Sequence, residues 1–204
     1  MADTDNIDIV ELGTGDALAG LVLSTEAGWN QNEADWRFFL SEGVVFGIRD
    51  GARLAATAAL LPYSASNAWI SMVLVTADFR RRGIATKLVD ACLAAAAQRG
   101  LTTWLDATPA GTTVYGPLGF TPTLQLRRLR LQKPSGAKAA RPLSACSLET
   151  LIACDAGAIG FDRTLLLSEF GVRAGSRIVS SADAVALIRD GRTARHIGPL
   201  LADD

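Results

Sequence analysis

The chain has 204 residues, 49% hydrophobic and 20% charged, with twenty basic side chains against twenty-one acidic ones. That is the length of one large domain, or of one domain with a smaller companion, and it can bury a core without disulfide or metal staples. A net charge of −1 supplies no field to draw nucleic acid or an anionic membrane. Cys92, Cys146 and Cys154 are odd in number and lack metal-ligand spacing, which points to reduced thiols and a cytoplasmic location. A single histidine, His196, excludes a histidine-rich site, and no metal is expected. The polar, acidic first eight residues are not a signal peptide. No apolar run approaches the ~20 residues of a membrane span.

In chain order, Ile7, Ile9 and Leu12 predict a short strand. Residues 16–26 predict a helix with Leu18, Leu21, Val22 and Thr25 on one face, broken at Gly28. Asn32 can cap a second helix, with Asp35 three residues on and Trp36, Phe39 and Leu40 as its apolar stripe. Residues 44–49 and 53–61 read as strands joined at Asp50-Gly51, a two-residue hairpin signal. A further strand covers 68–76. Ile84, Leu88, Ala91, Cys92 and Ala95 then recur at helical spacing, and Gly100 ends the pattern. A strand over 101–107, a short helix over 110–118 and one or two strands over 121–132 follow. A strand–helix–strand run beside an early hairpin implies a mixed α/β sheet.

Residues 134–143, rich in Pro, Ala and basic side chains, read as a linker between a first domain (1–133) and a second unit (144–204). In the second unit, 148–156 and 162–170 look helical, with Gly171 closing the second helix, and 177–179, 184–189 and 193–197 look like strands. Ile48-Arg49-Asp50-Gly51 returns 140 residues later as Ile188-Arg189-Asp190-Gly191, each time between apolar strands. Two unrelated Asp-Gly hairpins explain this as readily as a repeat does. If it is a repeat, the second unit is a partial copy of the first that packs on it. Its counterparts of Ala68 and Arg80 then fall at positions 208 and 220, beyond Asp204, so the copy would stop before them and the sequence would be a shortened form. A partial sheet also leaves an edge to be covered or paired.

The chemistry concentrates in Arg80-Arg81-Arg82-Gly83-Ile84-Ala85-Thr86, between a strand and a helix. Backbone N–H groups at a helix start lack partners, and the helix dipole adds partial positive charge. Gly83 lets the backbone approach a bulky anion, small Ala85 and Thr86 keep the mouth open, and the arginines add cationic reach. Together they suit a diphosphate. The loop is neither a Walker sequence nor a dinucleotide fingerprint. In isolation, it is a solvated basic turn.

Two motifs make the context specific. Arg80, Gly83 and Ala85 fit Arg/Gln-x-x-Gly-x-Gly/Ala, and Tyr115-Gly116-Pro117-Leu118-Gly119-Phe120 fits Tyr-x-x-Leu-Gly-Phe at the expected distance. In order, and separated by a helix and a strand, they resemble the GNAT (GCN5-related) N-acetyltransferase superfamily over about residues 5–132. Ala85 departs from the commoner glycine, and Pro117 sits inside the tyrosine motif. The run from Gly28 to Trp36, with Asp162-Arg163, His196 and Ile197-Gly198-Pro199-Leu200, resembles a bacterial subgroup with an added C-terminal GNAT-like half. The resemblance implies a mixed, mostly antiparallel central sheet flanked by helices, plus a smaller partial copy. It implies acetyl-CoA as co-substrate, with the main chain of Val73, Leu74 and Val75 pairing with the pantetheine arm. The loop residues Arg80, Arg81, Arg82, Gly83, Ile84, Ala85 and Thr86 would hold the pyrophosphate.

The expected reaction is acetyl transfer to a primary amine of a small molecule or peptide. A thiol titrates near ~8.5 and tyrosine near ~10, so Tyr115 stays protonated at neutral pH and can protonate the leaving thiolate. Its other reading is a core residue beside Phe120. Asp106, at the end of the fifth strand, is the candidate base, or else a helix cap; Glu33 and Asp35 are weaker candidates at a helix start. Trp29 and Asn30 are candidate walls of the acceptor pocket, or anchors for their loop. A catalytically silent coenzyme A-binding sensor or scaffold is the alternative of another class. DNA binding through Arg80–Arg82 and Arg127-Arg128-x-Arg130 is weak, since strand arginines commonly form a solvated edge. Neither a nucleic-acid nor a membrane partner is expected, and a homo-oligomer is left open.

Overall fold

The hairpin forms, with its turn one residue later than expected: β2 (Val44–Asp50) and β3 (Arg53–Pro62) are antiparallel, Asp50 ends β2 opposite Arg53, and Gly51 (φ +58°) and Ala52 make the turn. The structure, a computed structural model, describes residues 8–109, 111–123, 125, 129–130 and 142–202. Around the hairpin, β1 (Ile9–Leu12), β4 (Asn67–Val75) and β5 (Thr102–Trp104) complete a sheet of order β1-β2-β3-β4-β5. All neighbours are antiparallel except β4 and β5. This is the mixed, mostly antiparallel sheet expected. The sequence predicts one or two strands over 121–132. Residues 121–123, 125, 129 and 130 are not in a strand, and the rest of that stretch lies outside the described residues.

Helices cover both faces of this sheet. On one, Ala56, Ala58, Leu60, Ala68 and Ile70 meet Ile84, Leu88, Val89, Cys92 and Ala96 of α3 (Ile84–Gln98). On the other, Val45, Leu54, Ala59, Met72 and Leu74 meet α1 (Ala17–Glu26) and α2 (Glu33–Glu42). Burial of this apolar surface is the main force holding the layers together.

α1 turns its small residues inward. The predicted face is partly the exposed one: Leu18 and Val22 are 60% and 64% exposed, whereas Ala17, Gly20, Leu23 and Ser24 are buried. The cause is Trp36, which is fully buried against α1. A Cβ at Gly20 would strike its indole ring, and its Nε1 donates to Ser24 Oγ at 3.1 Å. α2 starts as expected, since Asn32 Oδ1 accepts from Asp35 N–H at 3.0 Å and Asp35 Oδ2 from Asn32 N–H at 3.0 Å. Its buried stripe uses Phe38 with Trp36 and Leu40, and Phe39 is only partly covered.

After α4 (Thr112–Tyr115), the second unit holds β6 (Ser144–Ala145), α5 (Leu148–Ile159), α6 (Thr164–Val172), β7 (Arg177–Ser181), β8 (Ala184–Asp190) and β9 (Arg195–Ala202). Its sheet runs β6-β7-β8-β9, wholly antiparallel, around Leu151, Leu167, Val185 and Leu187. Ser147 caps α5, and Gly160 at φ +82° ends it. Gly171 does not close α6; it lies inside the helix, where a Cβ would sit 3.2 Å from Leu148 Cδ1. On the sheet face away from α5 and α6, Ile197 and Leu200 are 61% and 65% exposed.

The order strand, two helices, three strands repeats that of β1 to β4. By topology β9 is therefore the counterpart of β4, and β8–β9 that of β3–β4. The two Ile-Arg-Asp-Gly hairpins occupy different places in their units, so aligning them shifts the comparison by one strand. The second unit thus reaches the counterpart of β4, which the sequence offset placed beyond its end.

Polar and apolar contacts join the units. Asp35, buried, accepts from Arg173 Nη1 at 2.6 Å and Arg189 Nη1 at 3.3 Å. Both guanidinium groups lie over the Phe170 ring, at 4.5 and 4.4 Å from its centroid. Phe38 and Leu61 of the first unit pack with Leu166 and Phe170 of the second.

Candidate active site

β4 is the strand on which the site is built. It pairs with β5 only at Asn67, Ala68 and Trp69. Beyond Trp69, its outer edge has no strand partner among the described residues. The predicted strand over 101–107 is cut to three residues because the strands diverge here. A bulge follows: Ala59 faces Ser71, Thr57 faces Leu74, and Met72 at φ +51° absorbs the extra residue. Thr57 Oγ1 pins it by donating to Met72 O at 2.8 Å. The bulge reverses the alternation. Before it, Ala68 and Ile70 point toward α3; after it, Val73 and Val75 do.

The strand runs into a tight corner at Ala77–Phe79 and then the basic loop. Arg80 Nε donates to Val75 O at 3.0 Å, and an Arg82 Nη donates to Asp78 O at 2.7 Å while its guanidinium lies over Phe79. Arg80, Arg81 and Arg82 are exposed. Gly83 takes φ +72°, which costs a side-chain-bearing residue dearly, and begins α3 with no side-chain cap. The N–H groups of Ile84, Ala85 and Thr86 therefore face outward unpaired by a cap, as an anion site requires.

Sequence reading missed Glu26. Its carboxylate accepts from Ala77 N–H at 2.9 Å and from the Thr76 hydroxyl at 2.8 Å, with Arg53 3.5 Å away. The Ala77 N–H, then the Thr76 hydroxyl, hold this carboxyl below its ordinary value. It ties the end of α1 to the corner before the basic loop. A lone acid at a helix end gives no local signal of such a contact.

Tyr115 ends α4, half-buried on the α3 side, with Phe120 edge-on at 6.1 Å. Burial pushes its hydroxyl above the usual tyrosine range, so it stays protonated at neutral pH. Asp106 is exposed, on the other side of the β5 end, in the electrostatic field shared by Tyr63 and Arg163. Trp29 packs in the α1/α2 core, and its carbonyl accepts from Arg192 at 3.0 Å. Asn30 Oδ1 accepts from Thr193 N–H, the Thr193 hydroxyl and Ala194 N–H at 2.8–2.9 Å, and Nδ2 donates to Ala194 O. Asn30 thus clamps the β8–β9 turn. Asp35 is held between two arginines, and Glu33 pairs with Arg37 on the surface of α2.

The α1/α2 side of the divergence carries a feature no sequence pattern announced. Tyr63, Trp69 and Trp104 gather with Phe161 of the second unit, centroids 5.9–6.3 Å apart. Beside them Arg163 forks onto buried Asp155, Nε to Oδ2 at 2.9 Å and Nη2 to Oδ1. Burial pushes the Tyr63 hydroxyl to about 12. Among the described residues no cluster of His, Cys, Asp and Glu could hold a metal ion, and no helix is long and apolar enough to cross a membrane.

The fold is that of known acetyltransferases. A candidate acetyltransferase from Pyrococcus horikoshii superposes over 98% of this chain and 72% of its own, at a TM-score of 0.74 and 18% identity. Ribosomal-protein-alanine N-acetyltransferase from Brucella melitensis biovar Abortus covers 62% of this chain and 99% of its own, at TM-score 0.51 and 18% identity. A Clostridium acetobutylicum protein, solved with acetyl-CoA, covers 61% and 96%, at 0.50 and 19%. Residues 20–120 match the Acetyltransferase (GNAT) family, and the first unit of the chain belongs to that family. A search of curated proteins finds no significant match.

Proposed function

We propose that the protein transfers an acetyl group from acetyl-CoA to a primary amine by direct attack, with Tyr115 as the general acid. One observation carries this reading: the open edge of β4 beyond its bulge leads, through the Ala77–Phe79 corner and the basic loop, into the uncapped start of α3, with Tyr115 on the α3 side of the sheet. An extended pantetheine arm can pair with the main chain of Val73, Leu74 and Val75, as an added strand would. The N–H groups of Ile84, Ala85 and Thr86 and the arginines Arg80, Arg81 and Arg82 fit its diphosphate.

The amine nitrogen forms a bond to the thioester carbonyl carbon, the carbon–sulfur bond breaks, and the thiolate takes a proton from Tyr115. Tyr115 suits that role because burial keeps its proton in place at neutral pH. The amine must shed a proton, since such amines titrate near ~10.4. Asp106, exposed on the opposite side of the sheet from Tyr115, is the proposed acceptor of that proton, directly or through water. Trp29 and Asn30 act from behind, through the loop between α1 and α2, whose position they fix against the second unit.

Calorimetry with acetyl-CoA, followed by a free-thiol assay over a panel of amines, tests the reading. Micromolar binding with amine-dependent thiol release is expected. Binding without release would identify a silent coenzyme A-binding protein instead.

A further inference from the structure

The second unit contributes a surface to the site just described. Phe161, on the turn between α5 and α6, joins Tyr63, Trp69 and Trp104 where β4 and β5 part. All four rings remain partly exposed, unlike Trp36, which the core covers completely. Fold stability alone does not call for four half-covered aromatics at one spot.

The wall is held rigidly. Trp104 Nε1 donates to Asn67 Oδ1 at 2.8 Å, fixing that indole. Gly160 turns the chain in the left-handed region, Asp162 Oδ1 accepts from Thr164 N–H at 2.7 Å, and Arg163 grips Asp155. Phe161 sits between these three restraints. A surface ordered in advance loses little entropy when something settles on it.

Ring orientation narrows what that is. Trp69 and Trp104 lie 18° apart, Tyr63 and Phe161 17°, and Trp104 and Phe161 28°, while Trp69 is tilted against Phe161 at 42° and against Tyr63 at 49°. A cage for a bare ammonium surrounds it with ring faces at steep angles. Here the rings touch one another, with centroids 5.9–6.3 Å apart, which leaves no gap for a cation between them; the flat pairs Trp69–Trp104 and Tyr63–Phe161 instead offer faces on which another flat ring can lie. Next to the stack, Ser71 Oγ is the one buried side-chain hydroxyl without a partner among the described residues. Ser71 lies two residues beyond Trp69 on the same face of β4, immediately before the bulge. Two residues of strand span about 6–7 Å. That distance separates a polar anchor for nitrogen from a flat apolar wall, and a two- or three-carbon stem bridges it.

We propose that the acceptor is an amine carrying an aromatic ring on a short alkyl stem, its ring layered on the Trp69–Trp104–Phe161 wall and its nitrogen at Ser71. The second unit is then a specificity element, with Phe161 its reading residue. This rests on the acetyl-transfer reading above.

The test compares 3-phenylpropylamine with n-butylamine. In the wild-type protein kcat/KM should favour the aryl amine at least tenfold. Phe161→Ala should collapse that ratio toward one, while Phe161→Tyr, which keeps a flat ring, should retain it. Calorimetry of 3-phenylpropylamine in the presence of coenzyme A reads the wall without turnover, and Phe161→Ala should lose most of the heat. Equal use of the two amines by the wild type, or a ratio untouched by Phe161→Ala, overturns the proposal and leaves acetyl transfer standing. Absence of thiol release with every amine overturns the transfer reading. In that case the wall stands or falls on the calorimetry alone.

Discussion

The two units share one chain path and differ where ligand chemistry would begin. Each runs strand, two helices, three strands, and each has a one-residue bulge in its last hairpin strand: Met72-Val73 in β4 and Gly198-Pro199 in β9. In β4 the bulged residues keep their N–H groups, and the strand continues into Gly83 and α3. In β9 the same place holds a proline, which has no N–H to offer. A ligand that binds as an added strand can therefore use the first bulge and is denied a donor at the second. The loops between the paired helices diverge as well. In the first unit, Asn30 is spent on clamping the β8–β9 turn; in the second, Phe161 faces the opening between β4 and β5. On the proposed reading, one copy keeps the chemistry and the other grips and shapes it.

The sharpest way to break this division is Tyr115→Phe. It removes one hydroxyl from the first unit, and kcat should fall by about 10²–10⁴-fold while acetyl-CoA still binds. A nearly unchanged kcat would reduce Tyr115 to a partner of Phe120. Next is the clasp. Asp35→Ala leaves Arg173 and Arg189 facing each other without their carboxylate, and removing one partner of such a buried group costs about 3–5 kcal/mol. Denaturant titration should show that loss, and an unmoved midpoint would mean the units are held by the Asn30 clamp and the apolar contacts without the ionic clasp. Gly83→Glu then puts a carboxylate, and a residue with a Cβ, at φ +72° in the anion cradle. Calorimetry should show acetyl-CoA affinity reduced ~100-fold, or about 2.7 kcal/mol. Unchanged binding in the folded variant would move the cofactor elsewhere.

The mildest effect concerns pH. Glu26 has a folded-state pKa below its ordinary value of 4.5, chiefly through the Ala77 N–H. Its stabilising contribution is fully present above that value and is lost as pH falls through the lowered folded one. Acid should therefore loosen the corner before the basic loop, and Glu26→Gln should flatten that part of the stability profile below pH 4.5. A Gln variant with the wild-type acid profile would remove Glu26 from the account.

What the sequence revealed was local. The α3 start, the Asn32–Asp35 cap and the hairpin at Asp50-Gly51 depend on a few adjacent residues; the first two stand as read, and the hairpin stands with its turn one residue later, at Gly51-Ala52. The inward face of α1 was misread because periodicity weighs apolar size. Here one large residue from another helix, Trp36, selects Gly20 and Ser24 over Leu18 and Val22. The repeat was aligned on a turn sequence, yet turns with Asp-Gly serve any hairpin, and only strand order shows which hairpin is which. Glu26, the arginine clasp and the aromatic wall join residues dozens to more than a hundred positions apart. No window of sequence contains them.

The bulge in β4 also governs which changes in length the gene can accept. Because one extra residue there swaps the faces of everything downstream, Trp69 and Ser71 look toward one layer while Val73 and Val75 look toward the other. Substitution along this strand alters one side chain at a time. Insertion or deletion of a single codon between Ser71 and Leu74 would instead exchange the two faces wholesale, sending side chains that pack on α3 toward α1 and α2 and the reverse. Across related sequences, this stretch should vary in letters and hold its length, with gaps falling in the turns on either side.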